Sequence, residues 1–267
     1  MRNMRSESGY SQSLERGLAI LSAFRTGRPL LGISELAREV ELTRSTAHRY
    51  VATLAMLGYL DQDPMSRKYR LGPRVLDLGF SAINSMELRE IAAPHLQRLS
   101  DETGHTVNMA ILDGTDVVYV ERCRSAQQGQ REIDLNLHVG SRLPAYCTSM
   151  GKVLLAYLPE HACGELLDRI ELTQRGPNTL TRRTALVAEL GRVREVGLAV
   201  NNEELAFGLR SIAAPVRGHA GDVVAAINLA VHRSWVSMED LLRNLSAPLR
   251  STAAEISTRV GFRPTGG

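Results

Sequence analysis

The sequence predicts an α+β protein: an N-terminal winged helix-turn-helix, a linker helix, and a C-terminal domain with an antiparallel sheet of about six strands. Two observations carry that prediction. Between Ile33 and Gly72, two short amphipathic stretches flank a polar turn and run into a basic hairpin. From Thr106 onward the apolar pattern leaves the helical period for short runs separated by turn residues, which reads as strands interleaved with helices.

An apolar helix comes first, with Leu14, Leu18, Ile20, Leu21 and Phe24 following Ser13. Ser34 opens the next, Glu35–Val40, with Leu36, Ala37 and Val40 on one face. After the turn Glu41–Leu42, Thr43 has the side chain to cap a helix over Arg44–Leu57. Ala47, Tyr50, Val51, Leu54 and Leu57 share one stripe of that helix at helical spacing. Arg44, Ser45, His48 and Arg49 lie opposite, in the first turns, where a recognition helix enters the major groove. No carboxylate occurs between Arg44 and Leu60. Past Gly58, Tyr59–Asp61 and Lys68–Leu71 flank the turn-rich tip Asp63–Arg67 and read as a wing. Two helices and a tight turn also make an ordinary helical core with a solvated charged face; the preceding helix, the basic hairpin and the acid-free face favour DNA.

Charge distribution agrees. The chain's net charge is +3, too small to identify a partner, yet residues 1–72 hold eleven Arg and Lys against seven Asp and Glu. Beyond Gly72 there are 21 basic and 22 acidic residues, so the excess sits on the part that phosphates would meet. At 267 residues, with 43% hydrophobic and 23% charged, the chain suits two soluble domains. The expected divisions are 1–72, 73–86 and 87–267.

Pro73–Ser85 is an apolar-rich helix suited to joining the domains and to packing on a second copy. Met86–Gly104 is another, with Leu88, Ile91, Ala92, His95, Leu96 and Leu99 on one face, a kink at Pro94 and Gly104 at its end. Val107–Leu112, Asp113–Asp116 and Val117–Val120 give strand, turn and strand. Ile133–Val139 is a third candidate strand, and a further strand is expected to end at Tyr146. Helices follow at Val153–Leu158, begun near Thr148 or Ser149, at Cys163–Ile170, and at Thr184–Val196 with Thr181 as its cap. Ala199–Val200, Leu209–Val216 and Val223–Val231 read as strands. Ser237 with Asp240 resembles a capping box for a last helix, interrupted at Pro248 and ending near Val260.

Several chemistries are disfavoured. Cys123, Cys147 and Cys163 are odd in number and widely spaced, so reduced buried thiols are expected, not a disulfide framework or a metal site. Cys147 beside Thr148 and Ser149, with His138 nearby, would be the nucleophile and base of an enzyme, but no nucleophile elbow, phosphate loop or zinc signature accompanies them. No catalytic residue, cofactor or metal is expected. No run approaches the roughly 18 apolar residues of a membrane span, and Met1–Gly9 is polar, so a cytoplasmic protein without a membrane partner is expected.

The chain from Gln12 to Phe262 resembles the IclR (isocitrate-lyase regulator) type of bacterial transcription factor. The resemblance is carried by Ser13–Leu18, Thr43–Arg49, Gly151–Ala156 and Gly208–Val216, in that order and spacing. Leu143–Gly151 with Asn108–Ala110 is similar to the branch controlling protocatechuate, 4-hydroxybenzoate and β-ketoadipate catabolism. The resemblance implies a GAF-like effector domain, a homodimer or tetramer, and a pseudo-palindromic operator in double-stranded DNA.

On DNA, Arg44, Ser45, His48 and Arg49 are expected in the major groove, Thr43 and Thr46 on phosphates, and Arg67 and Lys68 on a flanking phosphate or the minor groove. For the effector, the helix start within Cys147–Lys152 is a carboxylate site, with hydroxyls from Thr148 and Ser149 and an adaptable wall from Met150. The family's pocket, carried over by position, falls at Ser149, Met150, Asn201, Ser211, Asn228 and Ala230. Asn201, Met150 and Ala230 depart from the small-acid type, which leaves an aromatic acid or a β-ketoadipate-like diacid as the effector. Glu203 and Glu204 read as structural or rim carboxylates, and Ser149, Asn201 and Asn228 also have ordinary structural readings as a cap or as local hydrogen-bond partners. A winged-helix regulator working through a protein partner, without an effector, is the other reading.

Overall fold

In the computed structural model, residues 10–25, 27–84, 86–125 and 137–263 are described. The chain divides into two compact units, 1–85 and 86–267.

The first unit begins with α1 (Gln12–Ser22), capped by Ser11, whose hydroxyl accepts from the Leu14 N–H at 3.3 Å. That start is two residues ahead of the expected one; Leu14 and Leu18 face outward, 64% and 54% exposed, and Ile20 is the helix's buried residue. The next helix, α2 (Ile33–Glu39), also starts early: the Glu35 carboxylate reaches back to the Gly32 N–H at 2.9 Å, so Ser34 lies inside it and does not open it. Glu41 takes a left-handed φ of 53° and turns the chain into α3 (Arg44–Met56). The wing pairs β1 (Leu60–Gln62) with β2 (Tyr69–Leu71), one residue along from the expected runs. Leu31 exchanges backbone hydrogen bonds with Tyr69 and adds a third rung. Ile20, Leu31, Leu36, Val51, Leu60 and Tyr69 close this small core. Leu57, expected on the inward stripe, is 47% exposed because α3 ends before it. The linker helix, α4 (Arg74–Asn84), leaves Leu76 and Leu78 exposed.

The second unit is a six-stranded antiparallel sheet between two helical layers. Its strands are β3 (Thr106–Asp113), β4 (Asp116–Cys123), β5 (Arg142–Pro144), β6 (Ala199–Asn202), β7 (Leu209–Arg217) and β8 (Val223–His232), in the order β5-β4-β3-β8-β7-β6. One face, with Val107, Met109, Ile212, Ile227 and Leu229, packs on α5 (Glu87–Thr103) and α9 (Met238–Arg259). The other carries Ala110, Ala199, Ala213 and Ala226, and those small side chains admit α6 (Ser149–Ala156) against the sheet, backed by α8 (Arg183–Val196). A further helix, α7 (Glu160–Arg169), begins three residues before the expected Cys163. Pro215 has no N–H for a ladder, and it lies where β7 has run past β6, whose pairing stops at Ala213.

Several expectations need correction. Residues 133–136 of the candidate strand Ile133–Val139 lie outside the described residues, and 137–139 are not strand. The strand expected to reach Tyr146 is β5, which stops at Pro144 and gives way to a 3₁₀ turn, Ala145–Cys147. Thr181 does not cap α8; Arg182 holds the cap position without a side-chain bond, and Arg183 is tied to Asp168. Pro248 does not interrupt α9, since Leu245, Leu249, Ala253 and Ile256 are buried on both sides of it and packing outweighs one missing helical bond. Pro94 sits inside α5, and Gly104 caps its end as expected. Among the described residues no helix is long and apolar enough to cross a membrane.

Candidate nucleic-acid interface and effector cavity

Thr43 caps α3 as its side chain suggested, accepting from the Thr46 N–H at 3.3 Å while its hydroxyl donates to Thr46 Oγ1 at 2.8 Å. Arg44, Ser45, His48 and Arg49 are exposed, and no ion pair among the described residues engages either arginine. The face carrying Arg44, Ser45, His48 and Arg49 is therefore presented to solvent while Ala47 and Val51 anchor the opposite side in the core. On the wing, Asp63 organises the tip by accepting from the Ser66 N–H and hydroxyl at 2.6 and 2.7 Å, bonds that hold its carboxyl below the usual carboxylate range. Arg67, in a left-handed conformation at φ 59°, is exposed. Lys68 is not free: its ammonium lies 3.1 Å from Glu35, which ties the wing to the start of α2.

In the second unit, register brings together what sequence order scatters. One row across the sheet runs Asn201, Ser211, Ala230, Thr106; the next runs Ala213, Asn228, Asn108, Arg122. Over them lies the start of α6, and between is a small, partly open cleft. Thr148, Ser149, Asn201, Ser211, Asn228 and Ala230 line it, as expected by position. Met150 does not: it is fully buried in the apolar cluster between α6, α8 and the sheet. Asn108, Tyr119 and Arg122 also line the cleft and were missed. Each follows from strand pairing, although alternation along Val117–Val120 already placed Tyr119 opposite Val118 and Val120.

Gly151 makes the approach of α6 possible, since a Cβ there would fall 2.1 Å from the Ala145 carbonyl oxygen. Thr148 caps the helix by accepting from the Gly151 N–H at 3.1 Å. Ser149 and Ser211 hydroxyls share a buried bond of 2.7 Å, bridging α6 and the sheet. Asn201 spends both ends of its amide on backbone, donating to Cys147 O and accepting from the Glu204 N–H, each at 3.0 Å. Its structural reading therefore stands beside the ligand one. Burial pushes the Tyr119 hydroxyl up to about 12, so it stays protonated.

Glu203 and Glu204 are structural. Glu203, left-handed at φ 59°, accepts from Gly208 N and pairs with Arg233. Glu204 meets Lys152, buried within α6, at 2.5 Å, and Glu189 approaches the same ammonium at 3.2 Å. Lys152 was not singled out, yet the chain has only two lysines and this one interrupts an apolar helix. The cysteines are all buried and free. Desolvation pushes Cys147 up to about 12, so it holds no thiolate at neutral pH, and His138 is exposed with its ring against Val139 O. Among the described residues no group of acidic, His or Cys side chains is placed to hold a metal.

The family description "IclR helix-turn-helix domain" matches residues 13–64, and "Bacterial transcriptional regulator IclR C-terminal" matches residues 80–258. The chain is 39% identical to the Pca regulon regulatory protein of Pseudomonas putida over 87% of its own length and 78% of the relative's. A transcriptional regulator structure from Rhodococcus superposes with a TM-score of 0.81 at 41% identity, covering 94% of this chain and 98% of that one. An IclR homologue from Microbacterium hydrocarbonoxydans, crystallised with 4-hydroxybenzoate, superposes with a TM-score of 0.77 at 27% identity, covering 93% and 98%. An exposed basic recognition face in one unit, a polar cleft under a capped helix in the other, and matches to both family descriptions lead to one conclusion: the chain belongs to the IclR family of transcriptional regulators.

Proposed function

We propose that this regulator binds a pseudo-palindromic operator as a homodimer and responds to an aromatic acid or β-ketoadipate-like diacid held in the cleft between α6 and the sheet. The observation that supports the effector reading is the cleft's polarity: the capped start of α6, the Ser149–Ser211 hydroxyl pair and the Asn228 amide all line it. The Microbacterium homologue's 4-hydroxybenzoate supports the same class. Arg44, Ser45, His48 and Arg49 read bases, Thr43 and Thr46 position the helix on phosphates, and Arg67 reaches the flank. The exposed leucines of α1 and α4 (Leu14, Leu18, Leu76 and Leu78) supply apolar surface for a second copy. An effector acts only by favouring one arrangement of the DNA-binding heads over another, and α4 is the segment through which the two units are joined.

Calorimetry with 4-hydroxybenzoate and β-ketoadipate tests the cleft. Ser149→Ala is expected to weaken the bound acid by about 2–12-fold, the worth of one hydrogen bond of 0.5–1.5 kcal/mol. Wild-type affinity in that variant would place the acid elsewhere, and indifference of the wild type to both acids would leave a regulator that works through a protein partner.

A further inference from the structure

The second polar row carries a fixed direction. A guanidinium offers hydrogens only, and Arg122 Nη1 donates to Asn108 Oδ1 at 2.8 Å. Asn108 must therefore turn its amide toward Asn228, and it donates to Asn228 Oδ1 at 2.8 Å. With its oxygen so engaged, Asn228 presents Nδ2 on the cleft side, where that group donates to no described residue. The relay fixes the Asn228 amide as a donor toward the cleft, with a permanent positive charge behind it. A ligand group seated against Asn228 Nδ2 must accept. The α6 end differs, because the Ser149 and Ser211 hydroxyls can each give or take.

The two ends are separate. Ser211 pairs with Ala230 and Asn228 with Ala213, so they are diagonal neighbours on adjacent antiparallel strands. Such residues lie about 7–8 Å apart between Cα atoms, the reach of a para-substituted ring or a six-carbon chain. We infer that Arg122, acting through Asn108 and Asn228, is a specificity-determining residue that selects effectors carrying a second acceptor group, a second carboxylate above all, opposite the carboxylate held at the start of α6. The inference rests on the effector reading above and deepens it, by naming the residues that select for the second pole.

Matched pairs of acids test it: adipate against hexanoate, and terephthalate against benzoate, by calorimetry on the full-length protein. In the wild type each diacid is expected to bind at least about tenfold tighter than its monoacid, the worth of a charge-assisted bond. Arg122→Met and Asn228→Asp are each expected to bring that ratio close to one; the second variant keeps the acceptor for Asn108 and replaces the donor facing the ligand with an anion. A ratio that survives both substitutions overturns the proposal, as does an equal loss for both members of a pair. A wild-type ratio near one overturns it while leaving monoacid sensing intact. Binding of none of the four acids overturns the proposal, and the effector reading falls with it only if 4-hydroxybenzoate and β-ketoadipate also fail to bind.

Discussion

Replacing Lys152 with Met is expected to lower the melting temperature of the effector domain by roughly 6–20 °C. The side chain is 1% exposed and its ammonium is the described partner of Glu204 Oε1, while Glu204 Oε2 is already buried with no described partner. Removing one member of a buried ion pair strands the other charge, at roughly 3–5 kcal/mol, and each kcal/mol shifts a domain of this size by about 2–4 °C. Glu189 keeps Arg192 at 2.8 Å, so the stranded group is Glu204.

The pH dependence follows from the direction of the Glu204 shift. Burial raises its pKa, opposed by Lys152, so its folded value lies above its unfolded one. A raised carboxyl holds its proton in the folded state when the unfolded chain has released it, so its contribution to stability declines as pH rises through that window. Without Lys152 the window widens upward. The Lys152→Met deficit is therefore expected to shrink between pH 8 and pH 5, and Lys152→Met with Glu204→Gln is expected to recover most of the loss at pH 8. A deficit unchanged by pH and by the second substitution would assign the loss to packing.

This ion pair shows what the sequence leaves illegible. The winged helix was readable because its determinants are local: Thr43 caps its own helix, and Ala47 and Val51 repeat on one face of it. The sheet was readable in number and sense because its hairpins declare themselves at Asp113–Asp116 and its strands are apolar. Apart from the positions that the family resemblance supplied, the cleft was readable only where a helix start marks it, at Thr148 and Ser149. Arg122 became part of it through pairing with Asn108, fourteen residues away, and Asn108 through Asn228, a further 120. Such neighbours follow from register, which no short window of sequence specifies. Packing overrode local signals in the same way at Pro248, where burial on both sides keeps α9 continuous, and at Met150, which is buried in the apolar cluster beneath α6.

The recognition face gives the other large effect. Arg44→Ala with Arg49→Ala is expected to weaken operator binding at least thirtyfold, because a bidentate arginine–guanine contact is worth about 1–3 kcal/mol and two such contacts add when they meet separate bases. Both side chains are exposed, and neither supports the core formed by Ile20, Leu36 and Val51, so the variant's melting temperature should match the wild type. The loss should fall on operator DNA more than on random DNA, since base contacts specify and phosphate contacts do not. Arg67→Ala on the wing is the contrasting case. It should weaken both DNAs alike and reduce the slope of log affinity against log salt by about one. Lys68→Ala should leave that slope unchanged, because its ammonium is engaged by Glu35 and contributes to the wing's attachment instead. Filter-binding or fluorescence titrations across salt concentrations separate the three. An unaltered operator preference in the double arginine variant would remove this face of α3 from base reading and shift specificity to the wing.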